Sequence, residues 1–292
     1  QIGRQERIFI NRPDVRYARP IHEELNFPEG TGPVPENDIL IIHTGYTSDA
    51  YVDTRKLERN IALLKKALES DPEDIKSKCY LAESFYAFGD IKAAIPLYRE
   101  TLDRTACEKN TYARYRATAF YYLATCLGKS AETRDEAFAL AERAFHEFPE
   151  YLNFCCLYGL ALSQQGRFEN ALGAFKKAEK LAADGKIENQ LLGNVDAINI
   201  HLAQTYVKLD NPAEALRHAA SYLQSQNKRH YGVLKLCVKA LRSNESPEHA
   251  LGFLSKIYDL KNIQDRSLLL RCANDLDDIA LTQLIRRIKA FP

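Results

Sequence analysis

One pattern of side chains recurs in this chain with a period of about 34 residues. In "CYLAESFYAFGDIKAAIPLYRETL" (residues 79–102), Leu81 and Ala82 are followed by Phe85, Gly89, Ala94 and Tyr98. In "CLYGLALSQQGRFENALGAFKKAEKL" (residues 156–181), Tyr158 and Gly159 are followed by Leu162, Gly166, Ala171, Phe175 and Ala178 at matching intervals. Spacings of three and four put the apolar residues on one helical face, and a glycine interrupts each run. Each unit therefore reads as two helices joined by a tight turn. Small residues at the eighth and twentieth positions let the two helices approach closely, while large apolar residues fill the space between them. Proline after the second helix, as at Pro72 and Pro149, stops it.

This period, with these residues, resembles the tetratricopeptide repeat (TPR). The resemblance implies a mainly α fold, a TPR-type α-α superhelix with a protein- or peptide-binding groove. The register predicts a TPR array over residues 51–264. A lone second helix at 55–72 is followed by repeats at about 75–108, 116–149, 152–185, 196–229 and 231–264. Residues 265–292 read as C-terminal capping helices, ending polar and basic as the end of a stack requires. Two spacings are about ten residues too long for the period, near "RTACEKNTYAR" (104–114) and "AADGKIENQLLGN" (182–194). These insertions lengthen loops or helices between repeats without breaking the stack.

Composition excludes several classes. A net charge of +1 over 292 residues favours neither nucleic acid nor an anionic membrane. No apolar stretch approaches a membrane span. The seven cysteines form no C-x-x-C pair and fall mostly within apolar helical patterns. They point to a reducing compartment, and so to a cytoplasmic protein. The chain begins at Gln1 and contains no Met, so Gln1 is not expected to be the natural N-terminus.

Residues 1–50 lack the helical period. "RIFIN" (7–11) and "DVRYA" (14–18) are short β-rich runs, "FPEGTGPVPEND" (27–38) is a loop, and "ILIIHTGY" (39–46) reads as a buried strand. So few residues with three strands cannot bury a core alone. "RIFINRPDVRYARPIHEEL", a loop, "ILIIHTGY" and then "RKLERNIALLKKALESDPED" together resemble a particular junction. It is the end of the catalytic domain in bacterial family-2 glycosyltransferases that carry a C-terminal TPR array. The matching residues are Arg7, Phe9, Tyr17, Ile21, His22, Glu23, Ile41, His43, Gly45, Tyr46, Lys56, Arg59 and Asn60.

The resemblance covers roughly residues 5–72 and makes residues 1–50 a remnant of a GT-A-like α/β catalytic domain. It implies a nucleotide sugar held with Mg or Mn by an upstream Asp-x-Asp. That motif is missing from any strand end here, and the nearest spacing, "DLDD" (275–278), falls in a late helical region. No cofactor is expected for this chain by itself, and alone it is expected to be inactive in glycosyl transfer.

Candidate site residues follow. His22 and Glu23 would form one edge of the catalytic site; the plainer alternative has Glu23 paired with an arginine and His22 packed in a loop. His43 belongs to that site or is a satisfied core histidine. Arg7 and Arg12 contact a phosphate or line an exposed edge, the edge being favoured. On the array, first-helix groove positions give Asn153, Cys156, Leu160, Ser163 and Gln164, then Ala197, Ile200, Gln204, Val207 and Lys208, then Lys235, Lys239 and Arg242. These do not match the Lys/Asn clamp of chaperone-binding TPR proteins. The Lys235, Lys239 and Arg242 row, with Lys228 and Arg229 nearby, is a solvated basic face or takes an acidic segment.

The functional expectation is a protein-interaction region that docks an acceptor protein or partner subunit beside a glycosyltransferase. The alternative is a non-enzymatic TPR scaffold. Nucleotide sugar would bind only with the upstream domain; nucleic acid is not expected. Self-association as a homodimer through exposed repeat faces is a further expectation.

Overall fold

A computed structural model describes residues 12–18, 21, 24–28, 30, 54–185, 195–225 and 229–288. The chain divides into two compact units, Gln1–Cys126 and Leu127–Pro292. Among the described residues the architecture is mainly α, of the TPR helix-pair type, with one two-stranded antiparallel sheet.

In the first unit, β1 (Arg16–Ala18) pairs with β2 (Glu24–Asn26), with Tyr17 opposite Leu25. The partner of the 14–18 run is thus a segment that sequence periodicity does not mark as a strand. Three residues are too few to show an alternation, so pairing selects them. The runs 7–11 and 39–46 lie outside the described residues.

Helix α1 (Thr54–Ser70) presents Ile61, Leu64 and Leu68 on one stripe, packed against Cys79, Tyr80 and Leu81 of α2 (Ile75–Phe88). Ile21 from the head joins the same cluster. Helix α3 (Ile91–Arg104) closes the first pair, with Ala94 and Tyr98 fully buried. The first insertion is a loop: α3 stops at Arg104 and α4 (Ala113–Leu127) begins after a turn. Arg116 anchors that turn from within the core, only 1% exposed, donating to Leu102 O and Thr105 Oγ1 at 2.9 Å each.

The second unit contains α5 (Arg134–Glu147), α6 (Leu152–Gln164), α7 (Phe168–Ala183), α8 (Asp196–Lys208) and α9 (Pro212–Gln224). They are followed by α10 (Tyr231–Arg242), α11 (Pro247–Leu254), α12 (Ile263–Asp275) and α13 (Ile279–Arg287). Sequential helices from α5 to α11 pack on one another, as do α12 and α13. Short connections make such neighbours antiparallel.

The small positions are buried where the repeat requires them, at Ala171, Ala203, Ala215, Ala219 and Ala250. Gly159 is the strictest, because a Cβ there would meet the Phe175 ring at 2.6 Å. Among the described residues of the second unit, one core cluster gathers around Phe175, Leu162, Leu202 and Tyr206 and another around Leu234, Cys237, Leu241, Tyr258 and Leu269. No helix among the described residues is long and apolar enough to cross a membrane.

Candidate functional site

The inner helices of the second unit stand in a row. Helix α6 packs beside α8, α8 beside α10, and α10 beside α12. Each buries one face against its own pair and leaves a parallel stripe on the other. On α6 that stripe is Cys156, Leu160, Ser163 and Gln164; on α8 it is Ile200, Gln204, Val207 and Lys208. Leu160 is 38% exposed and Val207 37%, which is much for aliphatic residues on helices that bury their other faces.

The chemistry changes along the row. Cys156 is partly buried, and burial pushes its thiol up to about 12, so it contributes apolar surface rather than a nucleophile. Ile200 is packed at the edge of the core. Gln164 and Gln204 are exposed, and so are Lys208 and Lys239. Neither lysine has a hydrogen bond or ion pair among the described residues. Lys235 lies 5.9 Å from the Tyr231 ring centroid. From α6 to α10 the stripe therefore passes from apolar and neutral to cationic.

Two groove candidates hold other positions. Asn153 is buried at the start of α6, away from the open stripe. Arg242 is engaged: its Nε donates to Asp278 Oδ2 at 2.6 Å, tying α10 to the start of α13. Asp278 also accepts from Leu281 N as the α13 cap, and Asp275 accepts from the Tyr231 hydroxyl. "DLDD" thus has structural partners at both ends. Arg229 donates to Gln264 Oε1 at 2.6 Å, while Lys228 lies outside the described residues. Sequence reading missed the continuation on α12, where exposed Arg271 stands 4.4 Å over the Tyr231 ring. Irregular spacing beyond α11 hides its register.

At the head, Arg12 is exposed and its guanidinium is held by Asp14 at 2.9 and 2.6 Å. That contact keeps the Asp14 carboxyl below the usual carboxylate range. Arg7, His22, Glu23 and His43 lie outside the described residues. Among the described residues, no group of three or more His, Cys, Asp or Glu could hold a metal ion. The described residues thus offer no such donor set for Mg or Mn.

Comparison with known proteins agrees with this architecture. Residues 47–110 match one tetratricopeptide-repeat family model and residues 152–184 another. Among solved structures, YrrB, "a TPR protein with an unusual peptide-binding site", aligns with a TM-score of 0.50 at 18% identity, over 77% of this chain and 98% of that one. The pilF protein of Pseudomonas aeruginosa aligns with a TM-score of 0.50 at 16% identity, over 73% of this chain and 89% of that one. No curated protein sequence matches the chain. At these identities the likeness is one of fold. The helix pairs, the buried small residues and the matched segments show a TPR-type fold with tetratricopeptide repeats at residues 47–110 and 152–184.

Proposed function

We propose that the second unit docks an extended segment of a partner protein across α6, α8 and α10. The observation that carries this reading is the open stripe. It exposes Leu160 and Val207 next to Lys208 and Lys239, which no acidic group neutralises among the described residues. Apolar contacts supply affinity, and the lysines select a segment bearing acidic residues through steering and complementarity. The peptide-binding site named for YrrB is in keeping with this use of the fold.

The test is fluorescence anisotropy with a labelled peptide of alternating leucine and aspartate, titrated with the wild-type chain and the Lys208→Glu/Lys239→Glu variant. Affinity should fall about tenfold in the variant and weaken with added salt. Equal affinity for both proteins would overturn the reading.

The finer proposal is that this docking serves a glycosyltransferase, bringing an acceptor protein or partner subunit to a catalytic domain upstream. It rests on the resemblance over residues 5–72. In that reading nucleotide sugar and its Mg or Mn belong to the upstream domain. Calorimetric titration of an upstream-extended chain with nucleotide sugar and Mn²⁺ tests it. Absence of binding would leave a non-enzymatic scaffold with the same docking stripe.

A further inference from the structure

Two histidines of the second unit hold α8, one carried by it and one reaching it from α9. His218 of α9 is 1% exposed. Its ring stacks on Tyr206 of α8, with centroids 5.6 Å apart and planes 15° from parallel. Its Nδ1 lies 2.9 Å from Asn199 Oδ1, also on α8, and its Nε2 lies 2.7 Å from Arg217 Nη2. A guanidinium carries donors only, so Nε2 accepts from Arg217. The ring proton is then on Nδ1, which donates to Asn199 Oδ1. Both nitrogens are used, and the imidazole that fits is the neutral one.

His201 belongs to α8 itself. Its ring lies on Phe175 of α7, with centroids 5.2 Å apart and planes 19° from parallel. Its Nδ1 is buried and has no hydrogen-bond partner among the described residues. A proton added there would place a charged donor where nothing accepts it.

The charged neighbours do not reverse this. On α9, Glu214 Oε2 is 3.9 Å from His218 Nε2 but already accepts from Arg217 Nε and Nη2 at 3.1 and 2.9 Å. On α7, Glu179 is 3.9 Å from His218 Nδ1, while Lys176, 5.8 Å from the Tyr206 ring centroid, opposes a second cation. Helices α6 and α10 bring thiols. Cys155 clusters with Phe175, and Cys237 with Ala219 and Leu223. Burial pushes them up to about 11 and about 12, so both stay neutral. At His218, burial and the Arg217 guanidinium outweigh the two glutamates; at His201, burial acts alone. Each imidazole is thereby held below its usual range.

We propose that His201 and His218 form an acid-sensitive lock on α8. While both rings are neutral, α8 stays packed between α7 and α9; protonating both opens it. At His218 the added proton faces the Arg217 donor, and at His201 it faces no acceptor. Both folded values lie below the ordinary 6.5. Closed α8 therefore keeps its full stability above about pH 6.5 and loses it as pH falls below. Opening takes up two protons, so its equilibrium constant rises by up to about a hundredfold per pH unit, against about tenfold for one proton. Opening also removes Gln204, Val207 and Lys208 from the row, which would release a docked segment in acid. That consequence rests on the docking reading above; the lock itself does not.

The test is native-state hydrogen exchange on the whole chain, read by mass spectrometry from about pH 7.5 to about pH 5 and corrected for intrinsic exchange. Opening of α8 and α9 should follow the two-proton slope below about pH 6.5, while α12 and α13 change little. His218→Gln keeps an acceptor for Arg217, and His201→Phe keeps the ring stack. Each should lower the slope to about tenfold per unit, and the double variant should abolish it. Nitrogen-15 NMR of the wild-type imidazoles covers the case of a variant that fails to fold. His218 should carry its proton on Nδ1 at neutral pH, and both rings should stay neutral until α8 exchanges. A ring that gains its proton near pH 6.5 with α8 still closed, or equal slopes in α8 and α12, would overturn the lock. Where exchange shows α8 open, the leucine–aspartate peptide should leave the wild type but stay on the double variant, which controls for protonation of its own aspartates. A chain that binds the peptide at no pH would sink the docking reading alone, because the exchange measurement does not use the peptide.

Discussion

Gly159 shows how little room a helix pair leaves at its crossing. A Cβ there would fall within 2.9 Å of three Phe175 ring atoms, and Phe175 is itself pinned by stacking on His201 at 5.2 Å. Gly159→Ala should therefore destabilise the chain by about 1–3 kcal/mol despite alanine's better helix propensity, as read by thermal unfolding. Glu83 gives a pH-dependent counterpart. Its carboxyl goes from the ordinary 4.5 to about 7 on folding. The folded state therefore prefers the protonated acid. The stability this contributes is complete below about pH 4.5, is lost as pH rises towards 7, and stays lost above it. Glu83→Gln removes the dependence. The variant should gain stability relative to wild type across that window, on the order of 2–3 kcal/mol, in denaturant melts at stepped pH. Arg116 is the opposite case, a buried cation whose donors are used. Arg116→Ala leaves Leu102 O and Thr105 Oγ1 without it and should cost about 3 kcal/mol.

At the scale of elements, one turn design recurs between paired helices. Asp90 N donates to Phe85 O, Arg167 N to Leu162 O, Asn211 N to Tyr206 O and Asp278 N to Ala273 O, all at 2.9–3.0 Å. The residue before each donor is left-handed: Gly89, Gly166, Asp210 and Asp277. Two turns thus use glycine, and two force aspartate to φ of 53° and 52°. Asp210→Gly and Asp277→Gly should each stabilise by about 0.5–1 kcal/mol, the relief of left-handed strain less glycine's entropy. Calorimetric melts check this; an unchanged or lowered midpoint would contradict it. Side chains cap the N-terminal end of α2, α3 and α9–α13, while α5–α8 start without such a cap. Asp74 accepts from Lys76 N and from the Ser77 hydroxyl at the start of α2, so Asp74→Ala should cost about 1 kcal/mol.

At the scale of the whole molecule, stability within the second unit is a chain of nearest-neighbour terms. Leu269, Cys272, Leu281 and Ile285 of α12 and α13 share a cluster with Leu234, Cys237 and Leu241 of α10. Deleting residues 263–292 would bare that face of α10. Amide hydrogen exchange should then quicken most in α10 and α11, less in α9, and little in α6. Uniform quickening across all these helices would argue for a single cooperative core instead.

Local pattern determined the helix pairs, their small crossing residues, the glycine turns and the open stripe of α6 and α8. All of these depend on spacings within one repeat, which periodicity exposes directly. Tertiary structure decided the rest. The strand partner of residues 16–18 is settled by pairing, because three residues carry no period. The first insertion became a loop because Arg116, fourteen residues from Leu102, reaches back to cap α3. Arg242 read as a groove cation but meets Asp278, 36 residues away, and is spent on packing. Glu83 carries no sequence signal, and its burial follows from the packing of α4 on α2, where Tyr115 meets Cys79 and Tyr122 meets Tyr86. Burial and pairing arise from neighbours a full repeat distant, so they exist only once the helices have stacked.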